Sequence, residues 1–330
     1  KVNNTSWSLP VQVSDFSVKH GHVQLGEDIK ISSLSANTHF VIDDCSITPL
    51  QVAPLKYHAG IELISRPSNL LEIKHSTIQE GDWGIRYLGS TPDLNNLSID
   101  DCFFFSNIQG IYSQQAGVDI HDSRFTGNWF GVNIEYPTNN CTLTQCVFTG
   151  NTFAVTSEGA PTGSPKVLMV EEGSSNTDQF PFIMESIHFK LRCFEVNNPA
   201  HVAIAGNYRS TIDLYGGKSV FNLPNNFPDP VVYLNEAYDL KLLNGNNSFN
   251  NLTLSQTIFD GTFMSTSPYC SSSTLTSSQN WFAPNGTLQS RYFLTANCLT
   301  NATPPVPYLV PVTISESVSS ASQDACSGGG

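Results

Sequence analysis

The stretch "DDCFFFSNIQGIYSQQAGVDIHDSRFTGNWFGVNI", residues 100–134, repeats its own pattern after 21 residues. The small residues Cys102 and Ser123 are each followed, at the same offsets, by a Phe, an Asn, a Gly and a branched aliphatic residue. The matched pairs are Phe104 and Phe125, Asn107 and Asn128, Gly110 and Gly131, and Ile111 and Val132. A chain that repeats its apolar and turn positions at one period builds the same structural unit several times.

The pattern continues on both sides of this stretch, in residues 72–87 and 142–157. Its small residues Ser76, Cys102, Ser123 and Cys146 are separated by 26, 21 and 23 residues. Such spacings are typical of solenoids, in which each unit buries its apolar face only by stacking on its neighbours. Apolar residues alternate within a unit, as in Leu97-x-Ile99, which indicates strands rather than helices.

The units lack the Leu-x-x-Leu-x-Leu series of leucine-rich repeats. They resemble the right-handed parallel β-helix of the pectate-lyase-like superfamily, whose coils read Ile-x-[Asn/Asp]-small-x-[Ile/Phe]-x-x-Asn-x-x-Gly-Ile. Residues 70–158 carry this resemblance clearly, and residues 11–69 and 183–265 carry it loosely. The resemblance implies an all-β fold. We expect a parallel β-helix over residues 1–265 with a loop insertion near 159–182, followed by an irregular Ser/Thr/Pro-rich C-terminal cap or extension and linker over 266–330.

Stacked coils lie about 4.8 Å apart, so equivalent residues should form ladders. One ladder should be a buried column of Ile78, Phe104, Phe125 and Phe148. A second should pair the side-chain amides of Asn107, Asn128 and Asn151, and we expect Asn here because it tolerates a left-handed backbone in turns. Glycines are expected to allow a tight corner before the next strand at Gly84, Gly110 and Gly131.

The eight cysteines include no Cys-x-x-Cys pair, which argues against a zinc ribbon or a redox motif. Cys102 and Cys146 share one repeat position two coils apart, roughly 9 to 10 Å by the strand spacing, which is beyond disulfide reach. We therefore expect both to be free thiols. Any disulfide is expected among Cys270, Cys298 and Cys326.

Composition favours an extracellular or cell-surface protein. Only 13% of the 330 residues are charged, and the net charge is −13 with 15 Lys and Arg, which argues against nucleic-acid binding. No apolar run reaches the roughly 18 residues that span a bilayer. Asn-x-Ser/Thr sequons, which suit a secreted glycoprotein, occur at Asn3, Asn4, Asn96, Asn140, Asn246, Asn251, Asn285 and Asn301.

The ends of the sequence suggest a segment of a larger or processed polypeptide. The chain begins with "KVNNTSWSLP", without an initiator Met or a signal peptide, and ends with "DACSGGG", which is similar to a linker. The overall pattern also resembles secreted β-helix modules of bacterial surface proteins.

The resemblance makes polysaccharide cleavage the first enzymatic hypothesis, with acidic residues for calcium binding or acid catalysis. Glu135 and Glu158 are predicted to lie one coil apart and form the candidate catalytic pair. Asp101 and Asp122, in a turn stack, form the candidate calcium site. Both pairs also fit ordinary solvated or turn carboxylates, and the sequence contains no recognised catalytic motif. We therefore expect no cofactor, with calcium as the alternative.

Outward aromatic residues are the stronger candidates for binding. They could stack on sugar rings or pack against another subunit, or they could simply cover the turns. These residues are Trp83, Phe103, Phe105, Trp129 and Phe130.

Two classes of function remain. We favour a noncatalytic structural or adhesive segment of a larger surface protein or assembly, whose partners would be itself, other surface proteins or glycans. The alternative is a polysaccharide lyase or glycoside hydrolase acting on a groove of the β-helix.

Overall fold

The structure is a computed structural model of the chain. It describes residues 15–25, 29–31, 39–49, 59–64, 70–89, 96–160, 163–207, 210–217, 219–222 and 224, and ten strand segments between 232 and 315. Side chains are described for residues 41–48, 59–64, 71–89, 97–160 and 163–207, and for several residues from 210 to 224.

The chain divides into two compact units, residues 1–160 and 161–330. The strands of the first unit are β1 (Asp15–Leu25), β2 (Ile29–Ile31), β3 (His39–Pro49), β4 (Ala59–Ile64), β5 (Leu70–Lys74), β6 (Thr77–Gln79), β7 (Trp83–Leu88), β8 (Asn96–Asp100), β9 (Phe103–Phe105), β10 (Gln109–Gln114), β11 (Gly117–His121), β12 (Arg124–Thr126), β13 (Phe130–Glu135), β14 (Cys141–Thr144), β15 (Val147–Thr149) and β16 (Phe153–Glu158).

Each coil between residues 70 and 158 contains three strands, which we call the first, second and third strand of the coil. Equivalent strands of successive coils pair in parallel. For example, Ile120 aligns with Ile99, Phe125 with Phe104, and Val132 with Ile111. The all-β class and the parallel β-solenoid predicted from the sequence are therefore confirmed. The described residues contain no helix, and hence none that could span a membrane.

The second unit also consists of strands. They are β17 (Val167–Glu171), β18 (Ser174–Asn176), β19 (Phe180–Glu185), β20 (His188–Arg192), β21 (Glu195–Asn197), β22 (Ile204–Asn207), β23 (Thr211–Gly217), β24 (Val220–Asn222), β25 (Val232–Asn235), β26 (Asp239–Gly245), β27 (Ser248–Asn250), β28 (Phe259–Thr262), β29 (Thr274–Ser277), β30 (Trp281–Phe282), β31 (Leu288–Gln289), β32 (Leu294–Leu299), β33 (Pro307–Leu309) and β34 (Ile314–Ser315).

The expected loop insertion over 159–182 is wrong for most of its length, because β17, β18 and the start of β19 occupy 167–182. These strands pair in parallel with β20, β21 and β22. The repeat pattern is not recognisable in this part of the sequence, because Ser175 occupies the position equivalent to Phe125 of the first unit and Asp178 the position equivalent to Asn128. Both are buried, and the Ser175 hydroxyl donates to Asp178 Oδ2 at 2.6 Å.

Parallel pairing continues beyond residue 265, from β26 to β29 and from β28 to β32. Most residues after 265 lie outside the described part of the chain. The boundary expected near that position therefore stays a prediction.

The predicted apolar column forms in the first unit. Phe104, Phe125 and Phe148 are fully buried, and the ring centroids of successive residues lie 4.8 and 5.0 Å apart in nearly parallel planes. Ile78 continues the column as the strand partner of Phe104. The core is therefore a continuous stack, because each coil supplies one large ring at the same place.

The asparagine ladder also forms, with buried side chains at every position. Asn128 Oδ1 accepts from the backbone N–H and the side-chain Nδ2 of Asn107, at 2.9 and 3.1 Å. Asn128 Nδ2 donates to the Phe104 carbonyl at 3.2 Å and to Asn151 Oδ1 at 3.0 Å. Each amide thus binds the turns of two neighbouring coils.

The expectation that the ladder asparagines adopt the left-handed backbone conformation is wrong. The left-handed residue is the one before each asparagine, with φ of 53° at Ser106 and 64° at Gly127, whereas the asparagines themselves have no positive φ. Asparagine is required for its amide, which supplies a donor and an acceptor to buried backbone groups.

Glycine at the corner also has a different role from the one expected. Neither Gly84 nor Gly110 has a positive φ. A Cβ atom at Gly84 would lie 2.5 Å from the Gly110 carbonyl oxygen, and one at Gly110 would lie 2.6 Å from the Gly131 carbonyl oxygen. Glycine therefore permits close stacking of coils rather than an unusual backbone angle.

The cysteine predictions are confirmed in part. Cys102 and Cys146 are free thiols, as are Cys45 and Cys141. The expectation that any disulfide lies among Cys270, Cys298 and Cys326 is wrong, because Cys193 is disulfide-bonded. Cys193 has a left-handed φ of 49° and lies in a turn, not in the interior position that Cys102 occupies.

Replacing Phe125 by Ala is expected to lower the free energy of unfolding by about 3 to 5 kcal/mol, because it leaves a cavity in the column. Urea unfolding followed by far-UV circular dichroism measures this. Phe105→Ala is the matched control on a second strand, because Phe105 is 36% exposed. Equal midpoints for the two variants would contradict the stacked core.

Asn128→Ala is expected to cost about 3 kcal/mol, because it leaves the Asn107 N–H and the Phe104 carbonyl buried without their partner. Asn133→Ala serves as the control, since Asn133 is half-buried and points outward. A loss of about 1 kcal/mol or less is expected for the control in the same urea assay. The ladder would be refuted as a stabilising element if Asn128→Ala unfolded at the wild-type midpoint.

Burial raises the thiol pKa of Cys102, Cys141 and Cys146 to about 12. Very little of each thiol is then present as the reactive thiolate at pH 8. We expect these residues to resist iodoacetamide in the folded protein and to react readily in urea. Mass spectrometry of tryptic peptides measures the modification, and rapid alkylation of native Cys146 would contradict the buried placement.

Candidate binding surface at an aromatic corner

Apolar side chains cluster on the turn between the second and third strands of two coils. Trp129 is 56% exposed, Ile108 51% and Phe105 36%, and these are the exposed large hydrophobic residues among the described side chains. We call them, together with Phe130 and Phe153, the aromatic corner. Such exposed apolar groups are typical of contact surfaces.

Backbone hydrogen bonds between coils hold the corner in place. The Trp129 N–H donates to the Asn107 carbonyl at 3.1 Å, and the Phe130 N–H donates to the Ile108 carbonyl at 2.8 Å. In the next coil, the Phe153 N–H donates to the Trp129 carbonyl at 2.8 Å. Ile108 and Trp129 therefore occupy the same position in successive coils.

The rings themselves are also packed. Phe130 and Phe153 are strand partners and stack at 4.8 Å, and Trp129 meets Phe153 edge-on at 6.4 Å between centroids. Aromatic pairs in these geometries are stabilised beyond their area of burial. The exposed indole of Trp129 is thus supported by a layer of rings instead of projecting alone.

The structure brings most of the predicted binding residues to this part of the surface. Phe103 and Phe105 lie two residues apart on the outer face of β9, with ring centroids 5.9 Å apart, and Phe103 is half-buried. Trp83 begins the ladder that continues through Gln109 to Phe130, as predicted. Its ring is covered by the Arg86 guanidinium, 5.0 Å from the centroid, which makes it the weakest candidate of the five.

Ile108 is a surface residue of the corner that was not among the predicted binding residues, because it is aliphatic and the prediction rested on aromatic side chains. The repeat carried the signal, since Ile108 follows Asn107 as Trp129 follows Asn128.

A field of polar side chains lies beside the corner on the outer face of the third strands. The Thr156 hydroxyl donates to Asn133 Oδ1 at 2.8 Å, and Asn133 Nδ2 donates to Gln109 Oε1 at 3.3 Å. Further along the same face, the Arg86 guanidinium donates to the buried Glu62 carboxylate at 3.0 Å. The groups nearest the rings, Gln109, Asn133 and Thr156, are therefore neutral donors and acceptors, and the ion pair lies further away along the face.

The two glutamates proposed as a catalytic pair are direct strand partners, as predicted. Glu135 accepts hydrogen bonds from the Tyr112 hydroxyl at 2.7 Å and from Gln114 Nε2 at 3.3 Å, and Glu158 accepts from the Tyr136 hydroxyl at 2.6 Å. Burial and the bond to Glu135 raise the pKa of Tyr112, so the phenol stays a donor. Both carboxylates are thus engaged in structural hydrogen bonds.

The two aspartates proposed for calcium lie on an exposed turn. Asp101 and Asp122 have left-handed φ angles of 45° and 48°, at equivalent positions in successive coils. Asp101 lines a shallow groove with His75, Phe103 and the cationic Arg124. Among the described residues, no three His, Cys, Asp or Glu side chains come together as a metal site. Calcium binding therefore stays a prediction, and the nearby guanidinium weakens it.

His75 belongs to the same groove. Its Nδ1 lies 2.7 Å from Asp43 Oδ1, and this hydrogen bond raises the pKa of the imidazole.

Comparison with known proteins supports the fold. Residues 21–167 match a family described as the right handed beta helix region. No curated protein matches the chain. The matched range includes all of the aromatic corner.

Proposed function

We propose that this chain, a right-handed parallel β-helix repeat protein, is a noncatalytic adhesive segment of a larger extracellular surface protein, and that its aromatic corner binds a neutral glycan. The observation that carries the proposal is the exposed indole of Trp129, supported by stacked rings and bordered by neutral polar groups.

This composition suits a sugar. Aromatic faces stack against the apolar face of a sugar ring, and neighbouring amides and hydroxyls bind its hydroxyl groups. Gln109, Asn133 and Thr156 supply such groups on the adjoining face. The corner residues themselves carry no charge, although the chain has a net charge of −13. An uncharged ligand therefore meets little electrostatic opposition there.

The polar contacts of the glutamates favour a noncatalytic role. A general acid or nucleophile must reach the substrate, whereas Glu135 and Glu158 are held by phenol groups from the preceding coil. The alternative of a polysaccharide lyase or glycoside hydrolase rests on the one-coil separation of these carboxylates, which is similar to the spacing of a retaining pair. Calcium at Asp101 and Asp122 belongs to that alternative.

Trp129→Ala is expected to weaken binding to neutral polysaccharides roughly tenfold, by removing one stacking platform. Affinity electrophoresis against neutral and acidic polysaccharides, with and without calcium, measures this. Trp83→Ala is the matched control, because its ring is already covered by Arg86. Equal retention of both variants would contradict the proposed site.

Incubation of the protein with the same polysaccharides distinguishes a binding protein from an enzyme. New reducing ends and ultraviolet absorbance from unsaturated products are expected to stay at background. Polysaccharide cleavage that Glu135→Gln abolishes would establish the enzyme instead. If Trp129→Ala leaves glycan retention intact but dissociates an oligomer in sedimentation velocity, the corner is a protein interface.

A further inference from the structure

The turn before β14 is enlarged relative to the turn one coil earlier. Two residues, 115 and 116, connect β10 to β11, whereas five residues, 136–140, connect β13 to β14. The longer turn ends at Asn140, the first residue of the sequon Asn140-Cys141-Thr142, whose other two residues begin β14. Asn140 is exposed and lies immediately before β14.

The three sequon residues lie in environments that would accommodate a sugar on Asn140. Asn140 is exposed, whereas the ladder residue Asn128 is 2% exposed. Cys141 is buried as a free thiol and is not bound in a disulfide. The Thr142 hydroxyl lies on the outer face of β14, where it donates to Asp119 Oδ1 at 2.7 Å. A sugar on Asn140 would therefore leave the core packing unchanged.

We propose that Asn140 is a site of N-linked glycosylation, with a lipid-linked oligosaccharyl diphosphate as the sugar donor. The Asn140 Nδ2 forms a bond to the anomeric carbon of the first sugar and loses one proton. The bond from that carbon to the diphosphate oxygen breaks, and the lipid diphosphate leaves with the electron pair. No oxidant or reductant is required.

The position of Asn140 separates the modification from the aromatic corner. Phe130 begins β13 and Glu135 ends it, so the two turns flank opposite ends of a six-residue strand. Such a strand spans roughly 17 Å. A glycan on the enlarged turn therefore projects from a different edge of the coil and leaves Trp129 exposed.

The test expresses the full chain behind a signal peptide in a eukaryotic secretory cell line. Peptide N-glycosidase treatment in heavy-oxygen water, followed by peptide mapping, identifies each modified asparagine. We expect labelled aspartate at position 140. Asn140→Gln and Thr142→Ala should each lower the apparent mass of the protein on a denaturing gel by one glycan. Thr142→Ser should leave the apparent mass unchanged.

The secreted yield and the urea unfolding midpoint of each variant identify those that fail to fold. If Thr142→Ala does not fold, Asn140→Gln still tests the site, because it keeps the hydrogen bond of the Thr142 hydroxyl. An unmodified Asn140 in the secreted, folded chain overturns the proposal, whether or not other sequons are modified. This outcome is independent of glycan binding at the aromatic corner, which is measured separately.

Discussion

Strand pairing between successive coils is the constraint on which the first unit depends. Parallel pairing at one strand spacing requires each coil to present the same kind of residue at the same place, because a shift by one residue would turn the interior side chains outward. Phe125 can bury its ring only between Phe104 and Phe148. Asn128 satisfies its amide only between the turns above and below it. The repeated sequence is thus a direct consequence of the packing.

The interior ladders and their alignment could be predicted from the sequence because the repeat itself encodes them. The physical roles of two repeated residues could not. Both Gly110 and Asn128 were predicted to be needed for their backbone angles. The structure shows instead that Gly110 allows close approach of the next coil and that Asn128 is needed for the hydrogen bonds of its amide. A repeat reveals which positions are equivalent, but contacts between coils decide why a residue type is needed.

Coils in which polar residues replace the usual apolar and Asn positions could not be predicted from the repeat. Ser175 and Asp178 fill the positions of a buried Phe and a ladder Asn, and their mutual hydrogen bond allows that exchange. The contacts of Glu135 were also not predictable, because Tyr112 and Gln114 precede it by one coil and differ from their counterparts in the other coils. Exposed positions vary from coil to coil, so their neighbours cannot be read from the period alone. For the aromatic corner, the alignment of its residues in successive coils was predictable from the repeat, whereas the exposed fraction of each side chain was not.

The asparagine ladder has a consequence for how the molecule could change over evolutionary time. Asn107, Asn128 and Asn151 each donate from Nδ2 to a carbonyl of the preceding coil, and Asn128 and Asn151 each accept at Oδ1 from the Asn before them. Since this set of bonds repeats, the segment between two equivalent positions is a modular unit. Recombination between the codons for Asn107 and Asn128 would delete one whole coil and still join compatible ladder positions. Length can therefore change in whole coils, and a surface feature such as Trp129 could be gained, duplicated or lost without redesign of the interior.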